Sequence, residues 1–410
     1  MKTRMRFLPL FLVILIHTIT ACSPAGDDAR TISTLDSLMR SAVKQELTAG
    51  AVLQVKKGER ILHRKAYGYT QKYGFDGDLK PNPTEMTLSH HFDLASLTKV
   101  FATTLAIMHL TDKGKIDLDA SVLRYLPGFT GPSRDSVTVR HLLSHTGGLY
   151  QWRPIYIHAR DRHGALEYIC SLPLKYPVGE ERHYSDLGFM LLGYIVAEIG
   201  DEPLEEYLSN EIYSALGLER TGFIPKAMGL EGFAATSHGN PFEYRMIADS
   251  EFGYFCPEDP DEFNGWRNYT LVGEVNDGNA YYAHQGVAGH AGLFSTVSEL
   301  QRLIDLLLAE GEWNGKQFLR KATVREFLTA GENGNGLGWA MDPKIIYAPG
   351  ARNGTFGHTG FTGTSVVAVP ARDLSIILLT NRQNVGLNSS GYYPDLGSLR
   401  EQIFRSINDE

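Results

Sequence analysis

Two pairs of β-rich runs stand at opposite ends of this 410-residue chain, and each needs a partner face to bury its apolar side. The first, AVLQVKKGERILHRKAYGY (51–69), reads as a hairpin around Lys57-Gly58. The second, TSVVAVPARDLSIILLTNR (364–382), places two runs around a Pro-Ala-Arg-Asp turn. Between them, from about residue 95 to 310, the spacing of apolar residues is mostly helical. A helix over 35–47 precedes the first pair, with Leu35, Leu38, Met39, Ala42 and Val43 on one face, and another closes the chain near 395–407. The expected fold is α+β: an antiparallel sheet built from N- and C-terminal strands, with flanking helices and an inserted helical lobe. With 43% hydrophobic and 21% charged residues, the chain can supply that core as one domain over 31–410. The turn-rich segment YFCPEDPDEFNGWRNYTLVGEVNDGN (254–279) has weak periodicity and reads as a long surface excursion.

The first 22 residues form a separate unit. Lys2, Arg4 and Arg6 precede the apolar run from Phe7 to Ile16, which is shorter than the ~20 residues a membrane span needs. That is the pattern of a secretory signal over residues 1–21. Ile19-Thr20-Ala21-Cys22 resembles the box at which bacterial lipoproteins are cleaved, which implies acylation of Cys22. An ordinary signal peptide with an incidental cysteine is the alternative. Residues 22–30 read as a flexible tether. Loss of the three basic residues takes the net charge from −8 to −11. This disfavours nucleic acid or an anionic membrane surface as a partner, and leaves the membrane only the N-terminal lipid anchor. Cys170 and Cys256 read as two unrelated thiols.

Ser-x-x-Lys occurs twice. Ser41–Lys44 lies inside the first amphipathic helix, where a solvated face explains it. Ser96–Lys99 stands where HFDLA gives way to a helix with Leu97, Val100, Phe101, Leu105 and Met108 on one side, ending at Lys113-Gly114. Ser96 could be a plain N-cap. The functional reading adds that Lys99 faces the same way as the Ser96 hydroxyl, and that first-turn amides offer a donor to an oxyanion. Lys99 can act as a base only where burial or a neighbouring cation lowers its pKa. Tyr184-Ser185-Asp186 directly precedes a helix that buries Leu187, Met190, Leu191, Tyr194 and Ile195 and closes at Gly200. Either Ser185 or Asp186 is simply its N-cap, or Tyr184 presents a phenol beside the Ser-Lys pair with Asp186 in the same cleft. His358-Thr359-Gly360 stands before a strand over 364–370. It is either a turn at strand entry or a cleft edge, where Gly360 admits close backbone approach and the Phe361 amide is a second oxyanion donor.

In that order, Ser-x-x-Lys, Tyr-x-Asp and His-Thr-Gly resemble the signature of the penicillin-binding and serine β-lactamase superfamily. The use of Tyr is similar to its class C branch, over roughly residues 33–405. The resemblance implies Ser96 as nucleophile, Lys99, Tyr184 and His358 as catalytic partners, and the amides of Ser96 and Phe361 as the oxyanion hole. A second His-Thr-Gly, at His145, falls between the first two motifs within VRHLLSHTGGL, which resembles a segment such proteins carry there; scaffolding is expected of it. His141 and His145 stand i, i+4 with no third ligand in view, so no metal is expected.

Three departures argue against a β-lactamase. His358 replaces the usual Lys that holds the substrate carboxylate, and a largely neutral imidazole is a poorer anchor. Asp186 replaces the usual Asn, and its carboxylate would repel an anionic substrate or pair with Lys99. No counterpart of the Glu-bearing deacylation loop of class A enzymes is evident. FDLASLTKV, GEVNDGNAYYAHQGVAGHAGLFST (273–296) and GHTGFTGTS together resemble the N-acetylmuramyl-L-alanine amidases of this serine-hydrolase fold. The middle phrase holds Asp277, His284 and His290, and Asp277 and His290 either face the substrate or brace the loop. With Asp186, Thr359 and Gly360 they are the candidate substrate-binding residues. Thr296-Val-Ser-Glu299 reads as a capping box for the helix that follows.

The expectation is an exported, lipid-anchored serine hydrolase, periplasmic or at the cell surface. It would split the amide between N-acetylmuramic acid and the stem peptide of a muropeptide, or of another small acyl substrate, with no cofactor. Ser96 attacks, Lys99 accepts its proton with help from Tyr184, and Tyr184 or His358 returns one to the leaving amine. A broad esterase, or a D-aminoacyl peptidase or carboxypeptidase, is the first alternative; a non-catalytic wall-binding lipoprotein is the second. Oligomeric state is not legible.

Overall fold

The structure is a computed structural model that describes residues 26–254 and 256–408. The expected signal segment and Cys22 lie outside the described residues. The first helix runs Gly26–Lys44, so residues 26–30, read as tether, are helical instead. Asp28 is favoured near the positive end of that helix, and pairs with Arg60 of the hairpin.

Five strands form the main sheet: β1 (Gly50–Lys57), β2 (Arg60–Gly68), β3 (Phe356–Thr359), β4 (Ser365–Val369) and β5 (Leu374–Thr380). Their order is β3-β4-β5-β1-β2, antiparallel throughout. β1 lies against β5 with Ala51 opposite Thr380 and Lys57 opposite Leu374, so the two terminal pairs share one sheet. Side chains alternate across it. Ala51, Leu53, Val55, Ile376 and Leu378 pack with Leu35 and Met39 of the first helix and with Ile403 and Phe404 of the last, Gly397–Asn408. Val52, Val366, Ile377 and Leu379 face the larger lobe. Both faces are covered, and the strands therefore read as nearly continuous apolar runs.

The larger lobe is not helical alone. Phe92–Asp93, Leu293–Ser295 and Gly222–Phe223 form a small antiparallel sheet that ties the chain before Ser96 to two distant segments. The turn-rich stretch read as a surface excursion turns inward as well. Phe263, Arg267, Leu271, Val275, Asn276 and Asn279 are buried there. The Arg267 guanidinium donates to the carbonyls of Val275 and Asn276, both at 2.7 Å, and to Asn240 Oδ1 at 3.0 Å. Its core is polar and aromatic, so it leaves no apolar period to read. Cys170 and Cys256 are free thiols. No helix among the described residues is long and apolar enough to cross a membrane.

The capping box at Thr296 does not form. Thr296 stands at the N-cap of the helix Val297–Leu308, but its side chain makes no capping hydrogen bond. Glu299 is buried and points away, accepting from the amides of Glu219 (2.9 Å) and Arg220 (3.0 Å) and from the Thr221 hydroxyl (2.6 Å). Tertiary donors have outcompeted the local one. Glu299→Ala should therefore cost about 2–3 kcal/mol, because three donors are left without an acceptor. Urea unfolding reads this directly; a loss below ~0.5 kcal/mol would show that those donors find water. The capping box that does form is elsewhere: the Thr138 hydroxyl accepts from the His141 amide, and the Thr138 amide donates to His141 Nδ1.

Candidate active site

Strand Phe92–Asp93 ends at Leu94, and Ala95 then adopts a left-handed backbone, φ 46°. This is an unfavourable conformation for alanine, and the Asp93 carboxylate holds it by accepting from the Ala95 amide at 2.8 Å. Ser96 follows at once, and a wider π-type turn (Lys99–Thr104) runs into the α-helix Leu105–Asp112. Every residue from Lys99 to Leu110 is buried, so this helix passes through the core rather than lying on it with one apolar side. Such wide turns often sit at functional sites.

Lys99 is fully buried. Its Nζ donates to Ser96 Oγ at 3.0 Å and to the His290 carbonyl at 3.2 Å, and lies 2.7 Å from Asp186 Oδ1. The condition for a basic lysine is not met. Burial pulls the Lys99 pKa down, but the Asp186 carboxylate and the Tyr184 phenol outweigh it and hold the pKa above the usual lysine range. The neighbour is an anion, not a cation, and the resting side chain is an ammonium.

Ser185 caps the helix Asp186–Gly200, accepting from the Gly188 amide at 3.1 Å. Asp186 is thereby free to reach Lys99, and it forms that ion pair while also lining the cleft. The Tyr184 ring centroid lies 4.9 Å from Lys99 Nζ and 6.1 Å from the His358 ring. His145, from the other His-Thr-Gly, packs 4.4 Å from the Tyr184 ring. Its Nδ1 accepts from the Ser185 amide at 3.0 Å, which braces the second motif.

His358 and Thr359 lie on β3 itself, the edge strand, rather than in a turn entering β4. The turn is Gly360–Thr364, and it is fastened to the approach to Ser96. Thr362 donates to the Asp93 carbonyl at 2.7 Å and Thr364 to that of Leu94 at 3.1 Å. A Cβ on Gly360 would stand 2.5 Å from the Leu94 carbonyl, so only glycine fits. Among the described residues, neither the Ser96 amide nor the Phe361 amide has an acceptor. His358 Nδ1 donates to the Thr359 carbonyl at 2.8 Å. Burial, and then the Lys99 charge, take the His358 pKa down to about 3. It is a neutral imidazole at pH 7, its Nδ1 proton engaged by the Thr359 carbonyl.

The cleft in front of Ser96 is lined by Gln151, Trp152, Tyr184, Asp186, Phe242, Glu243, Met246, Tyr254, Asn276, Asp277, His290 and Phe361. Asp277 Oδ1 accepts from His290 Nε2 at 2.9 Å and from the Ala280 amide at 2.8 Å. The pair braces the loop, and both residues line the cleft. His284 has a bracing role alone, between the Asn279 carbonyl (2.8 Å) and the Tyr194 hydroxyl (2.9 Å). Ser41 and Lys44 lie on the first helix, behind the sheet.

Several lining residues escaped sequence reasoning. Glu243 sits on the helix Pro241–Ala248 with Met246 and Ile247, all buried. A carboxylate on an apolar stripe was the available signal. Burial, and then the Asp277 charge, push the Glu243 pKa up. Asn276, whose amide donates to Asp93 Oδ2 at 2.6 Å, adjoins Asp277 in the quoted phrase.

A serine backed by a buried lysine, a phenol and two unengaged amides, on this α+β scaffold, makes the protein a serine hydrolase. The chain belongs to the Beta-lactamase family, whose profile matches residues 35–388. It is 35% identical over 358 residues to the N-acetylmuramyl-L-alanine amidase of Bacillus subtilis (strain 168), covering 82% of this chain and 77% of that protein. It is 31% identical over 423 residues to the "Putative D-alanyl-D-alanine carboxypeptidase" of Escherichia coli (strain K12), covering 95% and 94%. The solved structure of EstCE1, a hydrolase with promiscuous acyltransferase activity, matches with a TM-score of 0.69 at 22% identity, covering 93% of this chain and 99% of that one. At that identity the last likeness shows the fold alone.

Proposed function

We propose that this hydrolase cleaves the amide between the lactyl group of N-acetylmuramic acid and the stem peptide. One observation carries the reading: among the described residues lining the cleft there is no arginine or lysine, while Asp186, Glu243 and Asp277 all are present. A β-lactam or a D-Ala-D-Ala terminus brings a free carboxylate next to the scissile bond, and nothing in this cleft pairs with it. The lactyl–alanyl amide brings none there. The likeness to the Bacillus amidase supports the same substrate.

In this reading Ser96 Oγ attacks the lactyl carbonyl, and the amides of Ser96 and Phe361 hold the oxyanion, each worth roughly 3 kcal/mol. Tyr184 delivers the proton to the leaving amine, since the Nδ1 proton of His358 is held by the Thr359 carbonyl. Water then resolves the acyl-enzyme. Trp152, Phe242, Tyr254 and Phe361 offer apolar walls for the acyl part. The reading extends to an exported lipoprotein on the pattern of residues 1–22.

The carboxypeptidase reading has its own support in Arg182, which carries no ion pair among the described residues and stands 5.8 Å from the Tyr184 ring. It is absent from the cleft lining, so the amidase is preferred. Mass spectrometry of muropeptides incubated with the protein separates the two. Free muramyl sugar with an intact stem peptide is expected; loss of terminal D-Ala alone would establish the carboxypeptidase.

A further inference from the structure

We propose that Asp186 is the terminal proton acceptor for Ser96, with Lys99 as the relay between them. Lys99 Nζ donates to Ser96 Oγ at 3.0 Å and to the His290 carbonyl at 3.2 Å, forms an ion pair with Asp186 Oδ1 at 2.7 Å, and has the Tyr184 phenol as its fourth neighbour. An ammonium so placed has no lone pair to offer the serine hydroxyl. It takes the Ser96 proton only as it gives up one of its own. Of these neighbours Asp186 is the carboxylate and takes that proton, because a carbonyl, a phenol and the nucleophile itself cannot. The Ser96 O–H bond breaks and its proton joins Lys99. An N–H bond of Lys99 breaks toward Asp186 Oδ1, and the freed electron pair on Ser96 forms the bond to the acyl carbon. The ammonium is unchanged at the end, the carboxylate has become a carboxylic acid, and the negative charge has moved to the oxyanion. Once Tyr184 has given its proton to the leaving group, the Asp186 proton returns through Lys99 to the Tyr184 oxygen, which restores all three groups.

The replacement of Asn by Asp in this motif thus gains a chemical purpose, because an amide side chain cannot accept a proton. Other titratable groups face the pair: Tyr184 and His145 beside it, Tyr254 across the cleft, Asp277, His358, and Arg182 beyond the Tyr184 ring. None but Asp186 is an anion within ion-pair distance of Lys99 among the described residues. The proposal rests on the serine-hydrolase assignment and not on the muramyl substrate.

The test follows Ser96 modification by a fluorophosphonate probe against pH, which needs no acyl substrate and no leaving amine. With a carboxylate as acceptor, modification is expected to persist further into acid than with the lysine amine alone. In Asp186→Asn, Lys99 must serve alone; with the anion gone, burial lowers its pKa, and the acid limb should rise by about 2 pH units. The modification rate should then fall about 100-fold at pH 6 and stay within about tenfold of wild type at pH 9. An unchanged limb overturns the proposal, and so does its loss in Tyr184→Phe but not in Asp186→Asn. If Asp186→Asn does not fold, the solvent-isotope proton inventory of the wild type decides. Two protons in flight are expected, and a linear, one-proton dependence refutes the relay. Failure of the muropeptide assay leaves these outcomes untouched.

Discussion

Ser96→Ala should abolish labelling by a fluorophosphonate probe and lower hydrolysis of every acyl substrate by about 10⁴-fold or more. In the proposed reaction the Ser96 hydroxyl is the nucleophile, and Lys99 is its side-chain partner. Among the described residues its oxygen accepts one hydrogen bond, from Lys99, which keeps Asp186 and the His290 carbonyl. Stability should hardly change, with Tm within about 2–4 °C of the wild type. The measurement pairs gel fluorescence with a thermal melt. Labelling that survives in a folded Ser96→Ala would place the nucleophile elsewhere, and absence of labelling in the wild type would revive a binding-only wall protein.

Lys99→Met should be damaging in a different way. Methionine fills much of the volume, but the Asp186 carboxylate loses its counterion in a site only 19% open to solvent. Breaking a buried pair on one side costs about 3–5 kcal/mol, reduced here to about 2–4 because Asp186 keeps some water. Activity should fall by at least 10³-fold, since the relay is cut. The double variant Lys99→Met, Asp186→Leu removes both charges and should regain most of the stability with none of the activity. Urea unfolding of the three proteins, beside their labelling rates, checks this. If the single variant is as stable as the wild type, the ion pair has no structural weight. Equal losses in single and double variants would point to packing instead.

The readings that held were those set by short-range geometry or by chain order. A serine three residues before a lysine faces the same way on any helical turn, and Ser96 and Lys99 do meet. The strand pairs share one sheet because four apolar runs at the chain ends have no other apolar face of that kind to cover. The order of the motifs also separated the two His-Thr-Gly copies, one bracing Tyr184 and one on the edge strand.

What misled the reading was local pattern without tertiary context. Thr296 to Glu299 has the spacing of a capping box, yet Glu299 turns to Glu219, Arg220 and Thr221, some 80 positions away. The turn-rich 254–279 segment looked solvated because its burial relies on Arg267 and on aromatic rings such as Phe263 and Trp266. Glu243 went unnoticed because a lone carboxylate on a helix is ordinary until a cleft forms over it.

Residue types, their spacing and their order along the chain were enough to establish the fold class and to bring Ser96 and Lys99 together, because these depend on backbone geometry within a turn or a strand. The protonation of that lysine and of His358 was decided only in three dimensions. Each depends on burial and on the distance to a charge from another segment: Asp186 for Lys99, and Lys99 itself for His358. Electrostatic energy follows separation in space and local solvent access, and neither quantity exists until the chain has packed.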